Sequence, residues 1–385
     1  MARILFSVLA EKGHLHPFIG PAQELQARGH EVAFYAPCDV TSPLGRAGLT
    51  RFLGDAAAAP PPDRNRGPAF AALVRDPPRL RRWIRELLLD TIPAEVDRLG
   101  ASIARWRPDV IAADPMAYAV PIVSARAGVP WIGLSTSLNP VVPEDWDSEL
   151  AETLRALRRE DVLAREGVAA RFRVADCLAE RGTVVYSTPE LVGAPPPGIV
   201  LAGASLPRGP RGDRGQGAEA GELPLVYMSL GSQIYHQPRM FEVVLGALAE
   251  LPVRGLLALG DLDGAFPLPA RVRSVPYAAQ LDVLREAAVF VTHGGANSLM
   301  EGLAFGVPLL VSPICNDQFH NARFVQRAGA GVVLDLDRAR PREVRDCLER
   351  LLANGLERRA ARRIGASYRK AGGAALAADV VLAAR

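Results

Sequence analysis

The sequence predicts an α/β protein of two Rossmann-like domains that face each other across a deep cleft. Both halves of the 385-residue chain alternate short apolar runs with amphipathic stretches of helical length, which is typical of parallel sheets covered by helices. Between the halves, residues 208–221 read RGPRGDRGQGAEAG, a glycine-rich and charged segment without periodicity. Because such sheets bind ligands at the carboxyl ends of their strands, we expect a ligand between the two domains.

The first half opens with a strand–helix–strand unit, in which Pro17 marks the first turn of the helix and Gly29 its end. This unit is expected at residues 3–9, 17–28 and 31–36. Three further strands are expected at residues 109–113, 131–135 and 183–187. Residues 40–95 and 137–180 are less regular and carry several aromatic side chains.

A second α/β series follows the glycine-rich segment. Its strands are expected at residues 224–229, 255–259, 288–292 and 307–312. Its helices are expected at residues 238–250, 297–305, 318–327 and after Pro341. We therefore predict an N-terminal domain, a linker and a C-terminal domain, and we expect the last helix to pack back on the N-terminal domain. The boundaries of these three parts and of the last helix are residues 1–206, 207–222, 223–385 and 373–385.

Composition and charge exclude several classes of protein. Hydrophobic residues make up 49% of the chain and charged residues 23%, which is ordinary for a soluble enzyme. The net charge of +3 (45 minus 42) comes without a basic stripe, so no nucleic-acid partner is expected. The four cysteines are too scattered for a disulfide framework or a zinc site, and no apolar run reaches the roughly 18 residues of a membrane span. We expect a soluble cytoplasmic protein.

The segment at residues 289–318, VFVTHGGANSLMEGLAFGVPLLVSPICNDQ, carries the strongest chemical signal. A buried strand ends at His293, Gly294 and Gly295 and turns directly into a helix that starts near Asn297. Glycines let backbone amides approach a bound group, and a helix start adds unpaired N–H groups and a positive dipole end. This combination predicts an anion site, most naturally for phosphate.

Side chains extend this predicted site. His293, Asn297 and Ser298 add hydrogen-bond donors, and Glu301 lies one turn further on, where a carboxylate can accept bonds from sugar hydroxyls. The alternative is that Ser298 and Glu301 form a capping box and that the glycines merely turn the chain.

A second strand end, in the sequence YMSLGS, brings Ser229 and Ser232 ahead of another helix. They could supply hydroxyls and amides to the same phosphates, although an ordinary strand-to-helix turn explains them as well.

In the first half, His14 follows a strand end at the start of a helix, where an imidazole suits a general base near neutral pH. Asp114 follows another strand of the same sheet, so a His14–Asp114 pair is geometrically plausible. The alternative is that the histidines here simply cap the helix.

Two Asp-x-Asp triplets, at residues 261–263 and 335–337, could hold a divalent metal, or they could be ordinary loop acids. We expect no metal, because the predicted helix-start site already supplies a positive field.

With these segments, the chain resembles the family 1 glycosyltransferases, the UDP-dependent group of the two-domain GT-B fold that includes plant and bacterial small-molecule glycosyltransferases. The resemblance covers nearly the whole chain; it is strongest at residues 275–321 and fades through 40–95 and 137–220. It implies that the N-terminal domain binds the acceptor and that the C-terminal domain binds the nucleotide sugar.

The family pattern H-x-x-P falls on His14 and Pro17, so the resemblance implies that His14 is the base and that Asp114 orients it. His16 is a second imidazole, on the same side as His14 if this loop is extended.

The resemblance also implies a set of donor-binding residues. In the family's roles His293, Asn297 and Ser298 contact the diphosphate, Glu301 binds the ribose hydroxyls and Tyr277 stacks on the base. The VPYAAQ stretch around Tyr277 carries extra residues compared with the usual tryptophan-containing form. The full set is Ser229, Ser232, Tyr277, Gln280, His293, Gly294, Gly295, Asn297, Ser298, Glu301, Asp317 and Gln318, of which Asp317 and Gln318 would bind the sugar hydroxyls.

Glu301 and Gln318 also predict the donor. A thymidine nucleotide lacks the ribose 2′-hydroxyl, and a buried Glu301 would then lose its partner at a cost of about 1–3 kcal/mol, which favours UDP. Gln318 after Asp317 favours a fully hydroxylated sugar, with glucose first.

We therefore predict an inverting transferase that moves a hexose from UDP-glucose or a similar UDP-sugar to a hydroxyl of a lipophilic natural product. No metal and no cofactor beyond this co-substrate are expected. The alternatives are a transferase of TDP-deoxysugars, a non-catalytic helper protein with the GT-B fold, and a sugar-nucleotide epimerase.

Overall fold

The computed structural model describes residues 1–9, 11–57, 66–212, 215–219 and 221–385. Residues 213, 214 and 220 of the predicted linker, and residues 58–65 of the first irregular region, lie outside this described part. The described chain forms two six-stranded parallel sheets covered by helices, together with one small antiparallel pair. This confirms the predicted fold class.

The strands of the first half are β1 (Arg3–Ser7), β2 (Glu31–Tyr35), β3 (Val110–Ala113), β4 (Trp131–Ser135), β5 (Arg171–Arg173), β6 (Asp176–Leu178), β7 (Thr183–Val185) and β8 (Ile199–Leu201). Those of the second half are β9 (Leu225–Ser229), β10 (Arg254–Ala258), β11 (Val272–Val275), β12 (Ala287–Thr292), β13 (Leu309–Val311) and β14 (Gly331–Val333).

The helices up to β9 are α1 (Lys12–Ala27), α2 (Thr41–Arg46), α3 (Gly67–Val74), α4 (Pro77–Leu88), α5 (Ile92–Trp106), α6 (Ala119–Ala127), α7 (Glu149–Ala156), α8 (Arg159–Arg165) and α9 (Pro189–Val192). The later ones are α10 (Pro238–Ala249), α11 (Gln280–Glu286), α12 (Ala296–Ala304), α13 (Gln318–Arg327), α14 (Pro341–Leu352), α15 (Leu356–Ala371) and α16 (Gly373–Ala383).

The order of the strands creates one crevice in each sheet. The first sheet runs β2-β1-β3-β4-β7-β8 and the second runs β11-β10-β9-β12-β13-β14. In the first sheet β1 lies between β2 and β3, and in the second β9 lies between β10 and β12. From β1, and likewise from β9, the chain first adds strands on one side and later adds strands on the other side. Connections diverge at this point and leave a crevice beyond the carboxyl ends of β1 and β3, and of β9 and β12.

Helix α1 differs from the prediction, because it begins at Lys12 and not at Pro17. Proline inside a helix lacks the N–H group that would bond the carbonyl four residues earlier, which here is the carbonyl of Gly13. Pro17 is tolerated because it sits near the helix start, and it leaves the Gly13 oxygen available for another partner.

The predicted irregular regions contain regular structure as well. Helices α2 to α5 lie within or overlap residues 40–95, and α7, α8 and the β5–β6 pair lie within residues 137–180. The strands β8, β11 and β14 were not predicted either, because runs of three or four residues are too short to display a period.

Aromatic pairs pack inside both sheets. Phe6 stacks on Phe34 with ring centroids 5.1 Å apart, and Tyr227 stacks on Phe290 at 4.9 Å. These residues belong to one apolar cluster that extends through both halves of the chain. The two sheets therefore share a continuous core.

The last helix, α16, lies against α1 of the first half. Arg28 Nη1 lies 2.5 Å from Asp379 Oδ1 at this contact. A Cβ atom at Gly20 would lie 2.7 Å from the Leu206 carbonyl oxygen and 2.9 Å from Ala374 Cβ, so glycine allows the close approach. None of the described helices is long and apolar enough to cross a membrane.

We predict that Gly20→Ala lowers the free energy of unfolding by about 1–3 kcal/mol, because the added methyl overlaps the Leu206 carbonyl oxygen and the Ala374 side chain of α16. Urea denaturation measures the change. Gly100→Ala in α5 is the matched control, since the nearest atom to its new methyl is 3.9 Å away and alanine favours the helix. Equal stability of the two variants would contradict the packing described.

Candidate active site

The first crevice brings His14 and Asp114 together. Strands β1 and β3 pair up to Ser7 and Ala113, so the residues that follow them emerge side by side. The Nδ1 atom of His14 lies 2.6 Å from Oδ2 of Asp114. Asp114 is 1% exposed and its other oxygen accepts a hydrogen bond of 2.9 Å from the Met116 backbone N–H, which fixes the carboxylate.

This pairing determines the protonation of His14. Burial by itself lowers the pKa of His14, but the charge of Asp114 and its hydrogen bond outweigh burial and raise the pKa to about 9. With its Nδ1 proton directed at Asp114, the ring has Nε2 left for a ligand. The side chain of His14 is 25% exposed and lines the cleft.

His16 does not share this orientation. It lies with His14 in the first turn of α1, where residues two positions apart point about 200° away from each other. The extended loop that would place both imidazoles on one side is therefore absent. His16 nevertheless lines the cleft.

Sequence reasoning missed Thr136, which directly follows β4. Its hydroxyl lies 3.0 Å from His14 Nδ1 and 3.1 Å from Asp114 Oδ2. Because β4 is the neighbour of β3, the rule that strand ends meet at one edge could have identified this residue.

Asp176 was missed as well. It lies on β6 in a region without a clear pattern, and it accepts hydrogen bonds from Ser135 Oγ at 2.5 Å and from Asn139 Nδ2 at 2.7 Å. Burial raises the pKa of Asp176 to about 6, although these hydrogen bonds lower it. The carboxylate holds the loop after β4 in place, and that loop carries Thr136.

The second crevice holds His293 between two glycines. Strands β9 and β12 pair up to Ser229 and Thr292, so Ser229 and His293 lie at the same edge. A Cβ atom at Gly231 would lie 2.8 Å from the imidazole Cε1, and one at Gly295 would lie 2.7 Å from Nε2. Only glycine at both positions leaves room for this ring.

His293 is buried, and burial lowers its pKa to about 4 against a smaller, opposite effect of its hydrogen bond with the Ser229 backbone. The imidazole is therefore neutral at pH 7. Within the described part of the chain its Nδ1 atom has no hydrogen-bond partner. This side chain can offer a hydrogen bond to a ligand but no formal charge.

Helix α12 begins next to His293. Its N-cap residue is Gly295, and no side chain caps it. The capping-box alternative for Ser298 and Glu301 is therefore wrong. The uncapped first turn, residues 296–298, lines the cleft and presents backbone N–H groups there.

Asn297 contacts the other half of the molecule. Its Nδ2 atom donates to the carbonyl oxygen of Gly13, the one that Pro17 leaves without a helical partner. Nearby, the Lys12 ammonium lies 3.7 Å from the centroid of the Tyr277 ring. A base that stacks on Tyr277 therefore has only the opposite ring face, unless Lys12 moves.

Glu301 already has protein partners on both carboxylate oxygens. Arg211 of the predicted linker donates to Oε1, and Gln280 Nε2 donates to Oε2 at 2.8 Å. The side chains of Arg211 and Glu301 are 5% and 3% exposed. Arg211 was not predicted as a site residue, because a glycine-rich segment without periodicity gives no signal for it.

Asp317 and Gln318 lie at the start of α13 and line the cleft. Burial raises the pKa of Asp317, whose Oδ2 accepts a hydrogen bond of 2.9 Å from Asn321. The side-chain oxygen Oε1 of Gln318 accepts from the backbone N–H groups of Ile314 and Cys315 at 2.8 and 3.1 Å. Its Nε2 atom donates one hydrogen to Cys315 Sγ at 3.6 Å, so Gln318 can offer a ligand its other amide hydrogen more readily than its oxygen.

One cavity of about 450 Å³ joins the two crevices. All predicted site residues line it except Asp114, which lies behind His14, and Gly294, which packs against Val311. Its first-half lining combines polar residues, among them Glu11, Lys12, Arg66 and Asn139, with a set of apolar side chains: Leu9, Phe70, Trp83, Ile84, Leu87 and Leu88.

Asp261 of the first Asp-x-Asp triplet lines the cavity, and an aspartate of each triplet has a hydrogen-bond partner within the protein. Asp261 Oδ1 is 3.1 Å from His236 Nδ1, and Asp335 Oδ1 accepts a bond of 3.1 Å from the Asp337 backbone. In the described ranges, no three His, Cys, Asp or Glu side chains are grouped as metal ligands would be.

We predict that His14 titrates near pH 9 and that Asp114→Asn moves its pKa toward or below the ordinary value of 6.5, because the raising charge is removed while burial remains. NMR titration of the imidazole Cε1–H resonance measures this shift. Asp261→Asn, which alters an aspartate beside a different histidine, is the control and should leave the His14 resonance unchanged. A His14 pKa near 6.5 in the unsubstituted protein would show that the pair is not formed.

Comparison with known proteins finds similar chains among transferases. The family model described as UDP-glucoronosyl and UDP-glucosyl transferase matches residues 212–366. A demethyllactenocin mycarosyltransferase from Streptomyces fradiae is 27% identical over 99% of this chain and 86% of its own length. An oleandomycin glycosyltransferase from Streptomyces antibioticus is 28% identical over 99% of this chain and 90% of its own length.

Solved structures show the same architecture. The glycosyltransferase of kitacinnamycin superposes with a TM-score of 0.77 at 25% identity, over 99% of this chain and 98% of its own. The calicheamicin glycosyltransferase CalG4 superposes with a TM-score of 0.75 at 22% identity, over 100% and 98%, which is evidence for the fold alone. Residues 212–366 therefore match this transferase family, the chain as a whole has the GT-B fold, and it is a glycosyltransferase.

Proposed function

We propose that this glycosyltransferase inverts the configuration of the sugar that it moves from a nucleoside diphosphate to a hydroxyl of a lipophilic natural product. The observation that carries the proposal is the opposition of two features across one cavity. A histidine with a buried carboxylate partner lies on one side, and an uncapped helix start beside a neutral histidine lies on the other. We propose that residues 1–206 bind the acceptor and that residues 223–385 bind the donor.

In this mechanism neutral His14 removes the proton from the acceptor hydroxyl with its Nε2 atom. The hydroxyl oxygen forms a bond to the anomeric carbon, the bond from that carbon to the diphosphate oxygen breaks, and the electron pair leaves with the nucleotide. Attack from the face opposite the diphosphate inverts the anomeric carbon. Asp114 stabilises the imidazolium that results.

The leaving diphosphate gains charge in this step. We assign its stabilisation to the N–H groups at the start of α12, to Ser298 and to a hydrogen bond from His293. Because the helix start supplies a positive field, we propose that transfer needs no metal ion and no further cofactor.

The acceptor is proposed to be lipophilic because several apolar and aromatic side chains, among them Phe70 and Trp83, line the first-half side of the cavity. The names of whole-chain relatives support this class: one glycosylates oleandomycin and another acts on demethyllactenocin. We propose a role in natural-product biosynthesis in the cytoplasm, in keeping with four cysteines that are free thiols.

Two classes of sugar donor are each supported by observations. UDP-hexose, with glucose first, is favoured by Glu301 in the cavity and by the description of the family model that matches residues 212–366. A TDP-deoxysugar is favoured by two observations. A relative that is 25% identical over 91% of this chain is named a 2-deoxy-L-fucose transferase, and the Gln318 oxygen is bonded to backbone.

We predict that His14→Ala lowers kcat/KM for transfer by about 10²–10⁴-fold while the Kd for the nucleotide changes little, because only the base is lost. The assay follows glycosylated product by mass spectrometry in a screen of lipophilic acceptors. His16→Ala is the matched control, since His16 points away from Asp114, and it should retain most activity. Near-normal transfer by His14→Ala would remove the base from the mechanism.

We also predict that transfer proceeds at an unchanged rate in EDTA, because α12 supplies the field that a metal would otherwise supply. Rates with UDP-glucose and TDP-glucose are compared with and without the chelator. A requirement for added Mg²⁺ or Mn²⁺ would contradict the metal-independent mechanism.

A further inference from the structure

Arg211 places a buried positive charge in the donor side of the cavity. Its guanidinium pairs with Glu301, both side chains are almost fully buried, and both line the cavity. Removing Arg211 would take away the cation beside the buried Glu301 carboxylate.

The backbone that carries Arg211 is held by the first half of the molecule. Gln23 of α1 accepts a bond of 3.1 Å from Gly209 N–H and donates one of 2.8 Å to the Pro210 carbonyl. Arg46 of α2 donates a bond of 2.7 Å to the Gly212 carbonyl. These anchors on both sides fix the point from which the arginine reaches Glu301.

Further along the linker, the described residue Gln216 pairs with the loop that carries Tyr277. Gln216 N–H donates to the Tyr277 carbonyl at 3.2 Å, and Ala279 N–H donates to the Gln216 carbonyl at 3.0 Å. This pairing places the linker along the loop that carries Tyr277 and leads into Gln280. The linker is therefore held against the loop that carries two of the predicted nucleotide-binding residues, Tyr277 and Gln280.

Because of these partners, Glu301 is satisfied without a ligand. Oε1 accepts from Arg211 and Oε2 accepts from Gln280, which is itself held by the Tyr227 hydroxyl at 3.1 Å. A buried carboxylate that depended on a ribose 2′-hydroxyl would strongly penalise a deoxynucleotide, since it would lose its partner. Glu301 keeps its arginine in either case.

We propose that Arg211 is a specificity-determining residue that removes the requirement for a ribose 2′-hydroxyl, so that the site accepts both uridine and thymidine diphosphate sugars. The inference rests on the proposed function, which places the ribose at Glu301. It changes the prediction made from Glu301 alone, in which that carboxylate selects UDP.

Isothermal titration with UDP, 2′-deoxy-UDP and TDP tests this proposal. UDP and 2′-deoxy-UDP differ only in the 2′-hydroxyl, and 2′-deoxy-UDP and TDP differ only in the base methyl. For the unsubstituted protein we expect Kd values for UDP and 2′-deoxy-UDP within about threefold. For Arg211→Ala we expect weaker binding overall and at least a roughly tenfold preference for UDP, because Glu301 then lacks its cation and gains from a hydroxyl donor.

Arg208→Ala is the matched control. This substitution removes another arginine of the same linker. Arg208 is exposed and lies 3.5 Å from Glu24, so its loss should change none of the three Kd values. Arg211→Gln retains part of the aliphatic side chain and an N–H hydrogen-bond donor but lacks the positive charge. It is measured in parallel, and it tests the proposal if Arg211→Ala does not fold.

Strong discrimination against 2′-deoxy-UDP by the unsubstituted protein would overturn the proposal. An unchanged UDP to 2′-deoxy-UDP ratio in both Arg211 variants would overturn it too, because a merely structural ion pair weakens both ligands equally. If none of the three nucleotides binds, the proposed function fails, and this inference fails with it. If UDP and TDP both bind but the ratio never responds to Arg211, only this inference fails.

Discussion

The hydrogen bond between His14 and Asp114 depends on the order of the strands in the first sheet. The two residues are separated by about a hundred positions in the chain, and they meet because β1 and β3 are neighbours with their carboxyl ends at one edge. The second sheet repeats this arrangement with Ser229 and His293 at the ends of β9 and β12. Each half therefore contributes one crevice, and the continuous core and the α1–α16 contact hold the crevices face to face.

Two histidines in this cavity have opposite electrostatic environments. Burial lowers the pKa of both rings, yet His14 has a carboxylate partner that raises its pKa to about 9, whereas His293 has none and its pKa falls to about 4. A ring that gains a proton beside a carboxylate suits the acceptor side of a transfer reaction. The neutral ring of His293 can contact a phosphate but cannot offset its negative charge. That charge must be stabilised by other groups, chiefly the N–H groups at the start of α12.

Sequence patterning predicted most of what depends on long apolar periods and on strand ends. The ends of β1, β3, β9 and β12 were located within two residues, and the residues just beyond them line or support one cavity. Thr136 was not singled out, although it too follows a predicted strand, because a lone threonine has no distinctive spacing.

Other residues of the site could not be predicted from the sequence, for a physical reason. Asp176 and Arg211 reach their positions through a three-residue strand and a segment without periodicity, and neither leaves a pattern. Glu301 was correctly placed in the cavity, but its charge balance depends on Arg211, 90 residues away in the chain. Local spacing gives no information about a partner at that distance, so Glu301 by itself does not determine which nucleotide the site binds.

In the proposed mechanism His14, with its pKa raised by Asp114, is the base for transfer between the two crevices. The most direct test is the pH dependence of kcat/KM for an alcoholic acceptor that does not itself ionise in the range studied. The account predicts a rate that rises by about tenfold per pH unit above neutrality and levels off near pH 9, because only neutral His14 accepts the proton. A profile that stays flat from pH 6 to pH 10, by the same reasoning, would contradict it.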